Sequence, residues 1–140
     1  MTASSDTAGR QAAPPAPTPH YARLGGTPAI ARIVDAFYRN MDTLAQAASI
    51  RALYPVDLRS SRDVLYKYLV GWLGGPALYV AERGPARLRQ KHLPFAIGDA
   101  ERDAWMLCMR RALEEQVPDP QLRGELLQAL VRTANFLRNR

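Results

Sequence analysis

The sequence predicts an all-α protein with one folded domain, and three observations support this. Apolar residues recur at three- and four-residue spacing in several long segments, which gives each segment one continuous apolar face. Prolines and glycines separate these segments, and none alternates apolar and polar residues for long enough to predict a strand. The chain of 140 residues is long enough for one hydrophobic core and too short for two.

Composition restricts the class of protein. With 47% apolar and 23% charged residues, the chain resembles an ordinary globular domain in its overall composition. The apolar run over residues 66–73 is too short to cross a membrane and contains Lys67, so we expect no membrane partner. No basic and apolar block opens the chain, and its single cysteine, Cys108, cannot form an internal disulfide. A cytoplasmic location is therefore expected.

Residues 1–20 differ from the rest of the chain. They are mostly Ala, Pro, Ser and Thr, with few large apolar side chains. Such a segment cannot bury enough surface to offset its loss of conformational entropy, so we expect a disordered tail. The folded domain is then expected over residues 21–140. A single helical turn at residues 21–24, ended by Gly25 and Gly26, would open it.

The first long helix is predicted from Thr27 as the N-cap and Pro28 as the first helical residue. A short helical piece over residues 44–53 should follow and lead to Tyr54 and Pro55. The expected buried face of the long helix consists of Ile30, Ile33, Val34, Phe37, Tyr38 and Met41.

The second long helix is expected behind Ser60, because Asp63 follows three residues later in a capping pattern. The glycine pair and proline at residues 74–76 should end this helix. Its expected apolar side consists of Val64, Leu65, Tyr68, Leu69 and Trp72.

Two further helices complete the expected fold. Asp99 is positioned to cap the first of them, and the Pro-Asp-Pro sequence at residues 118–120 should end it and start the last helix. The inward side of the first is predicted to consist of Ala104, Trp105, Cys108, Met109, Ala112 and Leu113. The last helix should bury Leu122, Leu126, Leu127, Leu130, Ala134 and Leu137.

His92 is the one histidine that the pattern allows inside the fold, since His20 ends the proline-rich tail. Pro85 would open a short helix around His92 and Pro94 would end it, with Leu88 one turn before the imidazole on the same face. A histidine fixed in this way is a candidate metal or haem ligand. Taken alone, a histidine near apolar residues is more often a hydrogen-bonded structural residue.

An ordered series of motifs surrounds this histidine. It comprises Gly74-Gly75-Pro76, Tyr79, Arg83-Gly84, Arg87-Leu88-Arg89, His92-Leu93-Pro94-Phe95 and Glu101-Arg102-Asp103-Ala104-Trp105. Together with two double-glycine stops and four main helices, the series resembles the truncated haemoglobins of group II over about residues 21–138. The resemblance implies a two-over-two helical sandwich around a haem b, with His92 as the proximal iron ligand.

The same resemblance implies a distal side for the bound gas. Tyr38 and Tyr54 would face the diatomic ligand, and Trp105 marks group II. Leu65 and Ser61 match positions that line the distal side and its entrance; Ser61 stands where ordinary globins carry a gating histidine. Taken singly, Tyr38 and Trp105 could instead be core residues with satisfied polar atoms.

Residues near His92 are candidates to hold the edge and faces of the haem. The expected contacts of the propionates are Tyr79, Arg89 and Lys91. The expected packing residues on the haem faces are Leu88, Phe95, Ile97 and Met109. Ordinary solvated charges and a core without a cofactor remain the alternative interpretations of these two sets.

The implied pocket favours redox turnover over oxygen transport. Each charge-assisted hydrogen bond to a polarised ligand contributes about 1.5–3 kcal/mol, so two or three donors would release oxygen slowly. Oxidation of nitric oxide to nitrate and reduction of peroxide are the candidate reactions, and both need a separate electron donor or reductase. The first alternative is a passive oxygen or nitric oxide carrier or sensor.

The second alternative is a basic helical nucleic-acid or adaptor module. The formal charge of +6 and the pI of about 10.0 motivate it. The sequence has no recognition helix or aromatic platform among its positive charges, so no nucleic-acid partner is expected.

Overall fold

The computed structural model describes residues 19–140, so residues 1–18 of the tail expected over residues 1–20 lie outside the described residues. The expectation is wrong for His20, which is helical and contacts Glu125 at 3.1 Å. Within the described range all regular structure is helical, which confirms the all-α prediction. In that range no helix is long and apolar enough to cross a membrane. The helices are α1 (His20–Leu24), α2 (Thr27–Thr43), α3 (Ala48–Arg51), α4 (Arg59–Trp72), α5 (Leu78–Arg83), α6 (Leu88–His92), α7 (Asp99–Gln116) and α8 (Pro120–Leu137), with a 3₁₀ turn at Ala45–Ala47.

The core lies where α2 crosses α7, and this is the most extensive contact between two helices. α2 also packs on α4, and α7 packs on α8, so two helix pairs are stacked on each other. Phe37 is fully buried at this crossing, with its ring centroid 4.9 Å from that of Tyr38 and 5.0 Å from that of Trp105. The predicted face of α2 is buried along its whole length, at Ile30, Ile33, Val34, Phe37, Tyr38 and Met41.

Helix ends follow the prolines and glycines, but two N-caps are shifted by one residue from the prediction. Thr27 and Asp99 are the first residues of α2 and α7, and the cap positions belong to Gly26 and Gly98. A glycine has no side chain that could cap the helix. In α7 the side chain of Glu101 forms a capping bond instead, since its Oε1 accepts a hydrogen bond from Gly98 N at 2.8 Å.

α4 also starts differently from the prediction, because Ser60 is its second residue and does not cap it. Asp57 takes part in the start instead, and its Oδ1 accepts a hydrogen bond from Arg59 N at 3.0 Å. Of the apolar side predicted for this helix, only Leu69 is buried; Val64, Leu65, Tyr68 and Trp72 are partly exposed. These four side chains border a cavity, and Leu65, Tyr68 and Trp72 also pack against the core.

The prediction that Pro85 opens the helix of His92 is wrong. α6 begins at Leu88, directly after Arg87, whose φ of +48° lies in the left-handed region and cannot belong to a right-handed helix. The helix does end at His92, before Pro94, as predicted, although Leu93 between them keeps right-handed helical angles (φ −55°, ψ −36°). The position of His92 as the last residue of a five-residue helix therefore has to be fixed by contacts with other parts of the chain.

Candidate functional site

A cavity of about 430 Å³ lies between α4, α6, α7 and α8, beside the α2–α7 core. Its size is in the range typical of small-molecule and cofactor sites, and its walls are mainly apolar and aromatic. α8 contributes residues to this wall that were predicted as core or not singled out, namely Leu130, Thr133, Ala134 and Leu137. Helical spacing cannot separate these roles, because a core face and a cavity wall have the same apolar period.

His92 lines the cavity from the end of α6. Its Nδ1 lies 2.6 Å from the carbonyl oxygen of Leu88, one turn earlier in the same helix. A carbonyl oxygen only accepts hydrogen bonds, so Nδ1 carries a proton, and in the neutral imidazole Nε2 is then the nitrogen with the free lone pair. The sequence therefore sets both the tautomer and the ring orientation locally, and a neutral imidazole presents one nitrogen ligand.

Tyr38, Tyr54 and Trp105 line the same cavity. The ring centroids of Tyr38 and Tyr54 are 5.9 Å apart in an edge-to-face arrangement, and Phe37 lies between Tyr38 and Trp105. The hydroxyl of Tyr38 donates to the carbonyl oxygen of Ser61 at 3.3 Å. Three side chains that each carry one O–H or N–H donor are thus brought together from α2, α7 and the segment after α3.

Both tyrosines of this cluster remain protonated at neutral pH. Burial raises the pKa of Tyr38, and the neighbouring Tyr54 raises it further. Burial also raises the pKa of Tyr54, while hydrogen bonding to the side chains of Trp105 and Tyr38 offsets part of that rise. Since the indole of Trp105 only donates, the cluster offers fixed hydrogen-bond donors over the physiological pH range.

At the rim of the cavity, Lys91 and Tyr79 form a polar pair. Lys91 is exposed and Tyr79 is buried, and Nζ of Lys91 donates to the Tyr79 hydroxyl at 2.5 Å. The ammonium lies 5.1 Å from the centroid of the Tyr79 ring. A further cation, Arg102 of α7, also lines the cavity; it belongs to one of the motifs around His92 but was not predicted at the rim. Arg102 is paired with Asp103 at 3.0 Å, so Lys91 is the less neutralised of the two cations.

The structure brings most of the predicted site residues to this one cavity, but not all of them. Besides the residues described above, the predicted residues on its wall are Ser61, Leu65, Leu88, Phe95 and Ile97. Met109 is absent from the wall because it is fully buried in the core. Arg89 is absent because its guanidinium donates to the carbonyl oxygen of Phe136 at 2.6 Å and lies over the Phe136 ring.

Residues 19–139 match the family model of the bacterial-like globins. The chain belongs to this family. Its relatives include the group 2 truncated hemoglobin YjbI of Bacillus subtilis, 32% identical over 81% of this chain and 84% of the relative.

Solved structures agree with the sequence comparison. The group II 2-on-2 hemoglobin of Agrobacterium tumefaciens superimposes with a TM-score of 0.86 at 38% identity, over 91% of this chain and 98% of that one. A truncated oxygen-avid haemoglobin from Bacillus subtilis gives a TM-score of 0.78 at 31% identity, over 87% and 100%. This globin therefore has the two-over-two fold that its motifs indicated. As a globin it is a haem protein that binds diatomic gases.

The residues of the cavity fit a haem. A single imidazole with a free Nε2 suits iron whose other ligands come from a macrocycle. The flat porphyrin needs apolar walls, and Leu88 and Ile97 supply part of them beside His92. Phe95 also lines the cavity while 43% of its surface is exposed, and a bound apolar group would cover it. The Lys91–Tyr79 pair suits carboxylates at the rim.

Proposed function

We propose that this globin binds haem b with His92 as the only protein ligand of the iron, and that it oxidises nitric oxide rather than delivering oxygen. The observation that carries the proposal is the grouping of Tyr38, Tyr54 and Trp105 on one cavity wall. When bound, haem supplies the iron at which a diatomic gas binds and becomes polarised. The three side chains would supply donors that stabilise the resulting negative charge, with the Tyr38 hydroxyl turning from the Ser61 carbonyl to the bound gas.

The strength of these donors argues for retention of oxygen. A hydrogen bond to a charged acceptor contributes about 1.5–3 kcal/mol, and a tenfold change in rate corresponds to about 1.4 kcal/mol. Two such bonds would therefore slow escape of oxygen by a factor of roughly a hundred or more. A relative described as oxygen-avid has the same fold, which supports this direction. A site that holds oxygen firmly is better suited to a reaction with a second molecule than to transport.

We assign the remaining wall residues to binding of the cofactor. Lys91 and Tyr79 would hold a propionate through the ammonium and the hydroxyl, which already lie together at the rim. Leu88, Phe95 and Ile97 would pack on the porphyrin near His92. Leu65 and Ser61 would line the distal side, with the Ser61 carbonyl already engaged by Tyr38.

The proposed reaction joins one nitric oxide and one oxygen molecule to give one nitrate. Balancing the charge of nitrate takes one electron, which this chain has to receive from a separate electron donor or reductase. Tyr38 and Trp105 would keep the oxygen molecule in position during the attack of nitric oxide, since their aromatic rings are packed against Phe37 and cannot easily turn away.

Stopped-flow mixing of the oxygenated protein with nitric oxide tests this proposal. We expect one nitrate per nitric oxide consumed and a simultaneous change to the ferric absorption spectrum. With excess oxygen, nitric oxide and an added reductant, the proposed function requires repeated formation of nitrate, whereas a passive carrier or sensor would form at most about one nitrate per haem. An absorption spectrum without a Soret band would exclude haem binding and favour the basic adaptor alternative.

A further inference from the structure

The segment after α8 returns to the part of the chain that joins α6 to α7. There the side chain of Asn139 makes three hydrogen bonds, all to main-chain groups. Its Nδ2 donates to the carbonyl oxygens of His92 at 3.2 Å and Phe95 at 2.9 Å. Its Oδ1 accepts from the N–H of Ile97 at 3.0 Å. One amide group therefore bonds to three residues of the connection that starts with His92.

The main chain of the same segment adds two bonds. The N–H groups of Asn139 and Arg140 both donate to the carbonyl oxygen of Ile97, at 2.8 Å and 3.1 Å. The carbonyls of His92 and Phe95 lie at or beyond the end of α6. The His92 carbonyl also accepts from the N–H of Phe95 at 3.0 Å, so Asn139 adds a second donor there and supplies a donor to the Phe95 carbonyl.

The hydrogen-bond pattern specifies asparagine at this position. The side chain of Asn139 donates to two carbonyl oxygens and accepts from one N–H, and a primary amide offers both kinds of group in one plane. An aspartate of the same shape would offer acceptors only. Its carboxylate would still accept from Ile97, but it would face the carbonyl oxygens of His92 and Phe95 without a proton to share.

We propose that Asn139 is a positioning residue for His92, fixing the end of α6 and thereby the direction of the imidazole toward the iron. The ring itself is held to Leu88 inside the helix, so its position relative to the cavity follows the position of the helix as a whole. A helix of five residues does not keep its place without tertiary contacts. Because this role depends on the proposed ligation by His92, both have to be tested on the haem-loaded protein.

The experiment compares the full-length haem-loaded protein with Asn139→Asp, Asn139→Ala and Arg140→Ala. Arg140→Ala is the matched control, because it changes the formal charge by the same amount as Asn139→Asp. The main-chain bond from the N–H of residue 140 to the Ile97 carbonyl stays in place in this variant. The side chain of Arg140 is exposed, and its guanidinium donates to the Asn139 carbonyl at 3.2 Å. Two properties are measured: the iron–histidine stretching band in the resonance Raman spectrum of the deoxygenated ferrous protein, and the rate of haem transfer to excess apomyoglobin.

We expect both Asn139 variants to shift or broaden the iron–histidine band and to release haem at least tenfold faster than wild type. Asn139→Asp should have the larger effect, because it places a charge against two carbonyl oxygens. Arg140→Ala should keep the wild-type band and release haem within about twofold of the wild-type rate. A tenfold change corresponds to about 1.4 kcal/mol, the size expected when one or two hydrogen bonds to the connection are lost.

Each other outcome overturns the proposal. Unchanged bands and rates in both Asn139 variants would leave His92 positioned without Asn139. Equal changes in Asn139→Asp and Arg140→Ala would assign the effect to charge. If both Asn139 variants lose helicity by circular dichroism as apoproteins while Arg140→Ala does not, Asn139 acts on overall stability. A wild-type protein without an iron–histidine band would refute ligation by His92 itself, whereas a normal wild-type band with unaffected Asn139 variants refutes only the positioning role.

Discussion

The two sides of the cavity are built in different ways. On one side, α2 and α7 cross through a layer of fully buried apolar side chains around Phe37. On the other side, α6 has no buried residue, and the connection behind it is held by hydrogen bonds from Asn139. The first side is stabilised by burial of apolar area, which is large and not directional. The second depends on a few directional bonds, each of which contributes about 1 kcal/mol.

This difference teaches where stability and ligand geometry are each determined. Tyr38 and Trp105 belong to long helices of the core, so their donors are positioned by the most stable part of the molecule. His92 belongs to a five-residue helix, so its position can change without disturbing that core. We expect truncation of apolar side chains on the α2–α7 side to affect folding, and substitutions on the α6 side to affect mainly the attachment of haem.

The largest expected effect is the loss of haem from His92→Ala. The variant removes the only imidazole on the cavity wall, and its purified form should lack the Soret band or show a strongly altered one. The control is His20→Ala, because His20 lies in α1 and contacts Glu125 at 3.1 Å outside the cavity. A loss of the band in His20→Ala would contradict the assignment of His92.

A matched pair of phenylalanine substitutions tests the contrast directly. Phe37→Ala should lower the free energy of unfolding of the apoprotein by about 3–5 kcal/mol, because Phe37 is fully buried in the core. Phe95→Ala should lower it by about 1 kcal/mol or less, because Phe95 is 43% exposed. Urea denaturation followed by circular dichroism measures both. Equal losses would show that the α6 side contributes to the folding core after all.

The donors on the α2–α7 side should act on bound oxygen rather than on the fold. Tyr38→Phe and Trp105→Phe each remove one donor while keeping an aromatic ring, and each should raise the oxygen dissociation rate by roughly tenfold. Carbon monoxide carries less negative charge when bound, so its dissociation should change less. The two substitutions should also be non-additive in the double variant, because both donors address one ligand. Equal changes for both gases would indicate an effect of pocket shape.

The smallest expected effect is on thermal stability, and it comes from an ion pair that belongs to neither side of the cavity. Glu125 of α8 contacts Arg23 at 2.7 Å and His20 at 3.1 Å, and these partners lower the pKa of Glu125 from 4.5 to about 2. The ionised Glu125 carboxylate therefore contributes its full stabilisation of the folded state above pH 4.5, and this stabilisation is lost as the pH falls to about 2. In Glu125→Gln we expect a melting temperature slightly below wild type at pH 6 and equal to it near pH 2. A difference that does not vary with pH would rule out the ion pair as its cause.

Most of the long helices could be predicted from the sequence, because each has an apolar face that only burial can satisfy. The face of α2 is buried as expected, and the face of α7 is buried except at Trp105, which is partly exposed and lines the cavity. The Pro-Asp-Pro break at residues 118–120 separates α7 from α8. The site residues on these helices could be predicted for the same reason, since Tyr38 and Trp105 fall on the predicted apolar faces. The start of α6 was not predictable from Pro85, because the left-handed conformation of Arg87 has no local sequence signal.

The sequence alone also could not separate cavity from core. Met109 and Leu65 both have the spacing of inward-facing residues, yet Met109 is buried in the core and Leu65 lines the cavity. Arg89 was expected at the rim because it is charged and near His92, but the end of α8 offers its guanidinium the Phe136 carbonyl and ring. Phe136 lies 47 positions after Arg89 in the sequence, so no local pattern around Arg89 could have indicated this contact.

The sequence by itself determined the helical class of this globin, its long helices and the identity of its one cavity histidine, because apolar period, helix breakers and residue chemistry are local properties. The tertiary structure decided which apolar faces enclose the cavity and which cations stay at its rim. It also brought Asn139 to the main chain around His92. These are contacts between segments far apart in sequence, and they form only where the packed helices bring complementary polar and apolar groups within reach.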